Sequence, residues 1–209
     1  NRVLIVLSSD HGVDDIPEYK RELGFDAGRI SPEALIATID TALQKRYESS
    51  ENFVVGFWNN GIYLDPTTVK RIGVSVQEVE QAAVEEALGF PAVAVALARS
   101  DLLAGKVPNT PLINKVQRAF HPQRSGNVIL VQKQFWTLYA DAYAAMHGSP
   151  YAYDSHVPIM IAGPKIYPLT ISREVGPEDI APTIAAYLGI KPPSGSVGGI
   201  LHEVLQQKP

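Results

Sequence analysis

The sequence predicts an α/β fold, a parallel-sheet core into which an α+β lobe is inserted. Three observations carry this reading. Val3 to Leu7 and Val157 to Ala162 are continuous apolar runs rich in β-branched residues, the pattern of strands buried on both faces of a parallel sheet. Between them lie windows with apolar residues at helical spacing, the first opened by a capping serine. Finally, the stretch from about 51 to 145 reads strand, strand, helix, strand, helix, strand, a compact insertion beside the main sheet. The expected organisation is therefore a core whose first portion is 1–50 and whose second portion is 146–209, with 51–145 as the lobe between them.

Each element has a local cause. After the first strand, Ser31-Pro32-Glu33 starts a helix with a capping serine, proline at the first position and an acid in the first turn. Leu35, Ile36, Ile39 and Leu43 then define its inner face until about Tyr47. Asn52 to Trp58 and Ile62 to Leu64 flank Asn59-Asn60-Gly61, a turn that favours positive φ, and read as a hairpin. Ser75 to Leu88, with Val76, Val79, Ala83 and Val84, is a helix closed by Gly89. Ala92 to Ala98 is a strand, Leu112 to Phe120 a short helix and Asn127 to Val131 a strand. Ile180 to Leu188 is a helix ending at Gly189, with Pro182 tolerable only in its first turn. A turn-rich Pro192-Pro193-Ser194-Gly195 leads to a terminal helix around Ile200 to Gln206.

Composition narrows the function. The 209 residues are 45% apolar and 19% charged, enough for a sizeable core in a globular chain. A net charge of -4 without any Lys/Arg block argues against nucleic acid or an anionic membrane as partner. No apolar run approaches the ~18 residues of a membrane span. With no cysteine, a transition-metal site must be built from His, Asp and Glu, which suits zinc or manganese. The opening NRVLIVLSSDHG lacks a methionine and enters a strand at once, so a longer parent protein is expected.

Polar residues at the carboxyl end of a core strand are well placed for chemistry. Asp10-His11-Gly12 follows the first strand, so a carboxylate and an imidazole stand side by side; alone, the tripeptide reads first as a hydrogen-bonded turn. The second element is His147 to Pro158, HGSPYAYDSHVP, which puts His156 at the edge of the later core strand. Asp14 and Asp15 read as a solvated acidic turn, and Arg124 and Lys133 as surface charge. His121 and His202 have no partners at metal spacing, and Trp58 and Trp136 read as packing residues.

Taken together, strand-DHG, HGSPYAYDSHVP and the later GPEDIAPTIAAYLGI resemble the alkaline phosphatase superfamily, nearest to its type I phosphodiesterase/nucleotide pyrophosphatase and single-domain bacterial alkaline phosphatase branch. HPQRSGNVILVQKQFW resembles the segment those enzymes carry before their last metal-binding histidine. The resemblance covers nearly the whole chain and implies the C-terminal part of an alkaline-phosphatase-like parallel-sheet sandwich. It further implies two zinc ions that clamp an in-line displacement, and a Thr or Ser nucleophile that forms a covalent phospho-enzyme. By the same resemblance Asp10 and His11 bind the nucleophile-side zinc and His156 the other. Asp154 is implied as a hydrogen-bonding partner rather than a ligand, and His147 carries no ligand role.

The nucleophile and the remaining ligands of that family have no matching position here, and no Asp-xxx-His cluster occurs. The expectation is therefore a portion of a zinc-dependent phosphoric ester hydrolase acting on small phosphoesters, with incomplete zinc sites in this chain and a periplasmic or secreted location. Two alternatives stand beside it. One is another reaction of the superfamily, sulfate ester hydrolysis or metal-dependent phosphoglycerate mutase chemistry. The other is a non-catalytic domain that binds a metal or a partner.

Overall fold

The computed structural model describes residues 3–206. They form two compact units, one built from the segment up to Gly12 together with the segment from His156 onward, the other from Val13–Ser155.

In the first unit β1 (Ile5–Ser8) pairs with β8 (Ile159–Ala162) in a two-stranded sheet, with Val6 opposite Ile161 and Leu7 opposite Met160. The pairing is antiparallel, which corrects the expectation of two parallel strands. Ile5, Leu7 and Met160 are exposed in this chain, while Val6, Ile159 and Ile161 are half-buried. A continuous apolar run encodes strand propensity; the direction of its neighbour is set by the whole intervening chain.

The segment GPEDIAPT explains itself here as a hydrogen-bonded knot around α8 (Ile180–Leu188) and α9 (His202–Leu205). Asp179 accepts from the backbone N–H of Gly176 at 3.0 Å and of Gly199 at 2.7 Å. The buried Thr183 hydroxyl donates to the Asp179 carbonyl at 2.6 Å and accepts from the Leu201 N–H at 2.9 Å. Gly189 ends α8 with φ 69°, a left-handed conformation that glycine adopts without steric cost.

The second unit contains α1 (Pro17–Glu22), β2 (Gly28–Arg29), α2 (Pro32–Arg46), β3 (Val54–Trp58), β4 (Gly61–Leu64), α3 (Pro66–Ile72), α4 (Val76–Leu88), β5 (Val93–Ala98), α5 (Arg99–Ala104), α6 (Pro111–Ala119), β6 (Val128–Gln132), β7 (Trp136–Thr137) and α7 (Ala152–Ser155). Its main sheet has the order β3-β4-β6-β5 and every pair is antiparallel. Because side chains alternate along a strand, β6 serves both faces. Val128 and Leu130 enter one apolar cluster with Leu35, Ile39 and Leu43 of α2 and Val79 and Ala83 of α4. Ile129 and Val131 enter another with Leu102 of α5 and Ile113 and Val116 of α6. The sheet is thus covered by helices on both faces, with α2 packed on it through Leu35, Ile39 and Leu43.

Local signals explain the boundaries. Ser75 and Glu78 form a reciprocal capping box on α4, with the Glu78 N–H donating to Ser75 Oγ at 3.2 Å and the Ser75 N–H to Glu78 Oε2 at 2.9 Å. Gly89, which closes α4 as expected, does so in the right-handed region at φ -67°. Asn59 and Asn60 have φ of 48° and 58°, the two positive values a tight β3–β4 turn requires. β2 and β7 form a separate parallel pair in which Gly28 faces the Trp136 indole so closely that a Cβ would lie 2.7 Å from the ring. Six short elements, α1, β2, α3, α5, β7 and α7, have no counterpart among the expected elements, being too short to establish a period. Among the described residues no helix is long and apolar enough to cross a membrane.

Candidate metal centre

β1 ends at Ser8, and the chain then leaves strand geometry, so consecutive side chains are no longer thrown to opposite faces. Asp10 and His11 consequently converge, with His11 Nε2 3.6 Å from Asp10 Oδ2. The turn is fixed by its own polar groups: the Ser9 hydroxyl donates to the His11 carbonyl at 2.7 Å, and the His11 N–H donates to Asp10 Oδ1 at 3.1 Å. His11 Nδ1 lies 2.7 Å from the Gly12 carbonyl, an acceptor, so the proton of the neutral ring sits on Nδ1 and the basic nitrogen is Nε2. Histidines that bind metal are commonly held in this way, with the second ring nitrogen donating to a carbonyl.

Asp10 has its carboxyl held below the ordinary value of 3.8, first by its own backbone amide and then by the neighbouring His11. A carboxylate oxygen and an imidazole nitrogen 3.6 Å apart can therefore bind one ion. The donor types of the pair, one carboxylate oxygen and one imidazole nitrogen, are those that suit zinc. Among the described residues no group of three or more His, Cys, Asp or Glu side chains is arranged to hold a metal ion.

His156 is exposed and lies between α7 and β8. The motif before it, from His147 to Ser155, is docked on the lobe. The Tyr151 ring packs against the α5–α6 apolar cluster, and its hydroxyl donates to the Gln132 carbonyl at 2.8 Å. The Asn60 side chain donates to Gln132 Oε1 at 3.3 Å and reaches the Gly148 carbonyl at 3.5 Å. Lys115 donates to the Pro150 carbonyl at 3.1 Å and to Ser155 Oγ at 2.7 Å. Asp154, 5% exposed, accepts the Ser149 N–H on Oδ2 at 2.8 Å, while its Oδ1 faces no protein partner. A cavity of about 20 Å³ beside it, lined also by Asp14, Gln132 and Tyr153, has room for one water. Asp154 thus braces the loop from within.

Other candidates resolve differently. Asp14 is not the solvated carboxylate expected: its side chain is 13% exposed, and Lys20 Nζ lies 3.0 Å from both Asp14 and Asp15. Asp14 and then Asp15 accordingly raise the Lys20 pKa. Trp58, expected to pack, is 70% exposed, whereas the Trp136 indole N–H donates to Asp26 at 3.2 Å across β2. Arg124 and Lys133 are exposed, as expected. His121 Nδ1 accepts the Gln123 N–H at 3.2 Å, a turn role. The contacts of Lys115, Gln132 and Asn60 with the motif loop carry no signal in the sequence, because their partners lie far along the chain.

No family model matches the chain. Alkaline phosphatase PhoD of Zymomonas mobilis is 31% identical over 207 residues, covering 94% of this chain and 35% of its own length. Alkaline phosphatase PhoV of Synechococcus elongatus is 26% identical over 205 residues, covering 97% and 36% respectively. The chain belongs to the alkaline phosphatase superfamily. The crystal structure of alkaline phosphatase PafA matches with a TM-score of 0.87 at 23% identity, over 97% of this chain and 38% of that one, so the fold is alkaline-phosphatase-like. The chain spans about a third of the length of the curated relatives it matches. Within the superfamily, Asp10-His11 and the loop leading to His156 are the polar constellations this chain presents at its two central strands.

Proposed function

We propose that this chain is a portion of a zinc-dependent phosphoric ester hydrolase, with Asp10 and His11 on one zinc, His156 on a second, and the nucleophile and remaining ligands supplied by polypeptide outside these 209 residues. The observation that carries the reading is the Asp10–His11 pair, whose ionised carboxylate, oriented imidazole and 3.6 Å spacing match one metal ion. The named relatives are alkaline phosphatases, which supports the reaction class. When bound, zinc would act as a Lewis acid on the phosphoryl oxygens of a small phosphoester. The Gly12 carbonyl keeps the His11 proton on Nδ1. The Ser9 hydroxyl and the His11 amide hold the turn so that both donors stay adjacent. Phosphodiesterase and nucleotide pyrophosphatase activity, and a periplasmic or secreted location, belong to the same proposal.

The test is a zinc titration of the chain by calorimetry, beside His11→Ala and His156→Ala, with p-nitrophenyl phosphate turnover recorded on the same samples. Each substitution is expected to weaken zinc uptake at least about tenfold, since even partners outside the ligand sphere contribute 10–100-fold. No turnover is expected from the chain alone. Zinc uptake by the unmodified chain that neither substitution weakens would sink the metal assignment, and turnover by the unmodified chain would refute the split site.

A further inference from the structure

Resting on the reading of His156 as a ligand, we propose that Lys115 is a positioning residue that clamps the single helical turn presenting this histidine. α7 is one turn long, and an isolated turn of this length does not hold itself together. His156 follows directly upon it. Lys115 Nζ spans the turn, bonding the Pro150 carbonyl that precedes it at 3.1 Å and the Ser155 hydroxyl that ends it at 2.7 Å. Ser155 in turn donates from Oγ to the Tyr151 carbonyl at 2.9 Å, and its N–H donates to the same carbonyl at 2.9 Å. One ammonium therefore ties both ends of the turn to a single point.

That point is itself fixed. Lys115 stands on α6, whose N-cap Thr110 accepts the Ile113 N–H at 3.3 Å and whose Ile113 and Val116 are buried against Leu97, Leu102 and Val131. Pro111 at the first position pre-sets the helical φ. The lobe thereby reaches across 40 positions of sequence to Ser155 and fixes the residue immediately before the candidate ligand. A ligand that is in place only some of the time lowers apparent metal affinity by the fraction of time it is competent.

Lys115→Met keeps the apolar stem and removes the three donors. The expected result is about tenfold faster amide exchange at Ser155, with the Leu130 and Val131 amides of β6 unchanged, because the loss of charged hydrogen bonds costs on the order of 1.5 kcal/mol, a factor of ten. A zinc titration followed by NMR at the His156 ring should weaken by a similar factor, and Lys115→Arg should restore both. Unchanged exchange and zinc response in Lys115→Met would overturn the proposal. If β6 also lost protection, Ser155→Ala, which leaves α6 intact, decides: a selective loss at residues 154–156 supports the clamp and no loss refutes it. Should His156→Ala leave zinc uptake untouched, the ligand reading fails separately, and Ser155 exchange still reports on the clamp.

Discussion

Phe53→Ala is expected to lower the stability of the second unit by about 4 kcal/mol, within the range for truncating a fully buried aromatic. Phe53 is the largest completely buried side chain of the molecule's described residues. Its ring meets Tyr47 at a centroid distance of 5.4 Å and lies in the cluster formed with α2, β4 and α4. The surroundings cannot close over the vacated volume, because the backbone on either side is pinned. Asp40 Oδ1 accepts the N–H of Phe53 at 2.6 Å and of Val54 at 2.8 Å, and the Phe53 carbonyl accepts the Asp65 N–H at 2.8 Å. Urea unfolding is the measurement, and the midpoint should fall with an unchanged slope. A loss below about 1 kcal/mol would mean that the site collapses and that the pinning argument is wrong.

Glu18→Ala should cost about 3 kcal/mol, because it leaves a buried guanidinium without its counter-charge. Arg29 is 10% exposed at its side chain and Glu18 18%. Arg29 Nε and Nη2 donate to the two Glu18 oxygens at 2.7 and 2.8 Å, and Nη2 also donates to the Ala144 carbonyl at 2.9 Å. The pair therefore ties α1 to β2 and to the chain entering the His147 motif. The Arg29 hydrogen bonds hold the Glu18 carboxyl at about 2, below its ordinary 4.5. A folded-state value below the unfolded one means that the stabilisation is fully present above the unfolded value and is lost as pH falls through the folded value. The acid limb between pH 4.5 and about 2 should therefore flatten in Glu18→Gln, measured by urea unfolding across that interval. An acid limb unchanged from the parent would show that other carboxylates govern it.

Stability and site are linked by the lobe. The Asn60 turn and the Gln132 strand end that hold the motif loop belong to the sheet that Phe53 supports. A lobe variant that lowers stability should thus disturb the loop before His156 earlier than the Asp10–His11 turn, which carries hydrogen bonds between neighbouring residues.

Much of the molecule was legible along the chain. The helix α2 follows from the capping Ser31 and from apolar positions a few residues apart, and α4 from the same kind of spacing. The β3–β4 hairpin follows from Asn59 and Asn60, and β6 from its apolar run. The adjacency of Asp10 and His11 follows from their being neighbours at a strand end, and the string through His156 carried the superfamily. All of these are settled by interactions spanning a few residues. Only the tertiary structure decided that β1 and β8 run antiparallel with one face exposed, that Asp14 is paired with Lys20, that Trp58 is exposed, and that Lys115 holds Ser155. Each of these depends on which distant segment arrives beside the residue, a choice made by the packing of the whole chain and encoded in no local pattern.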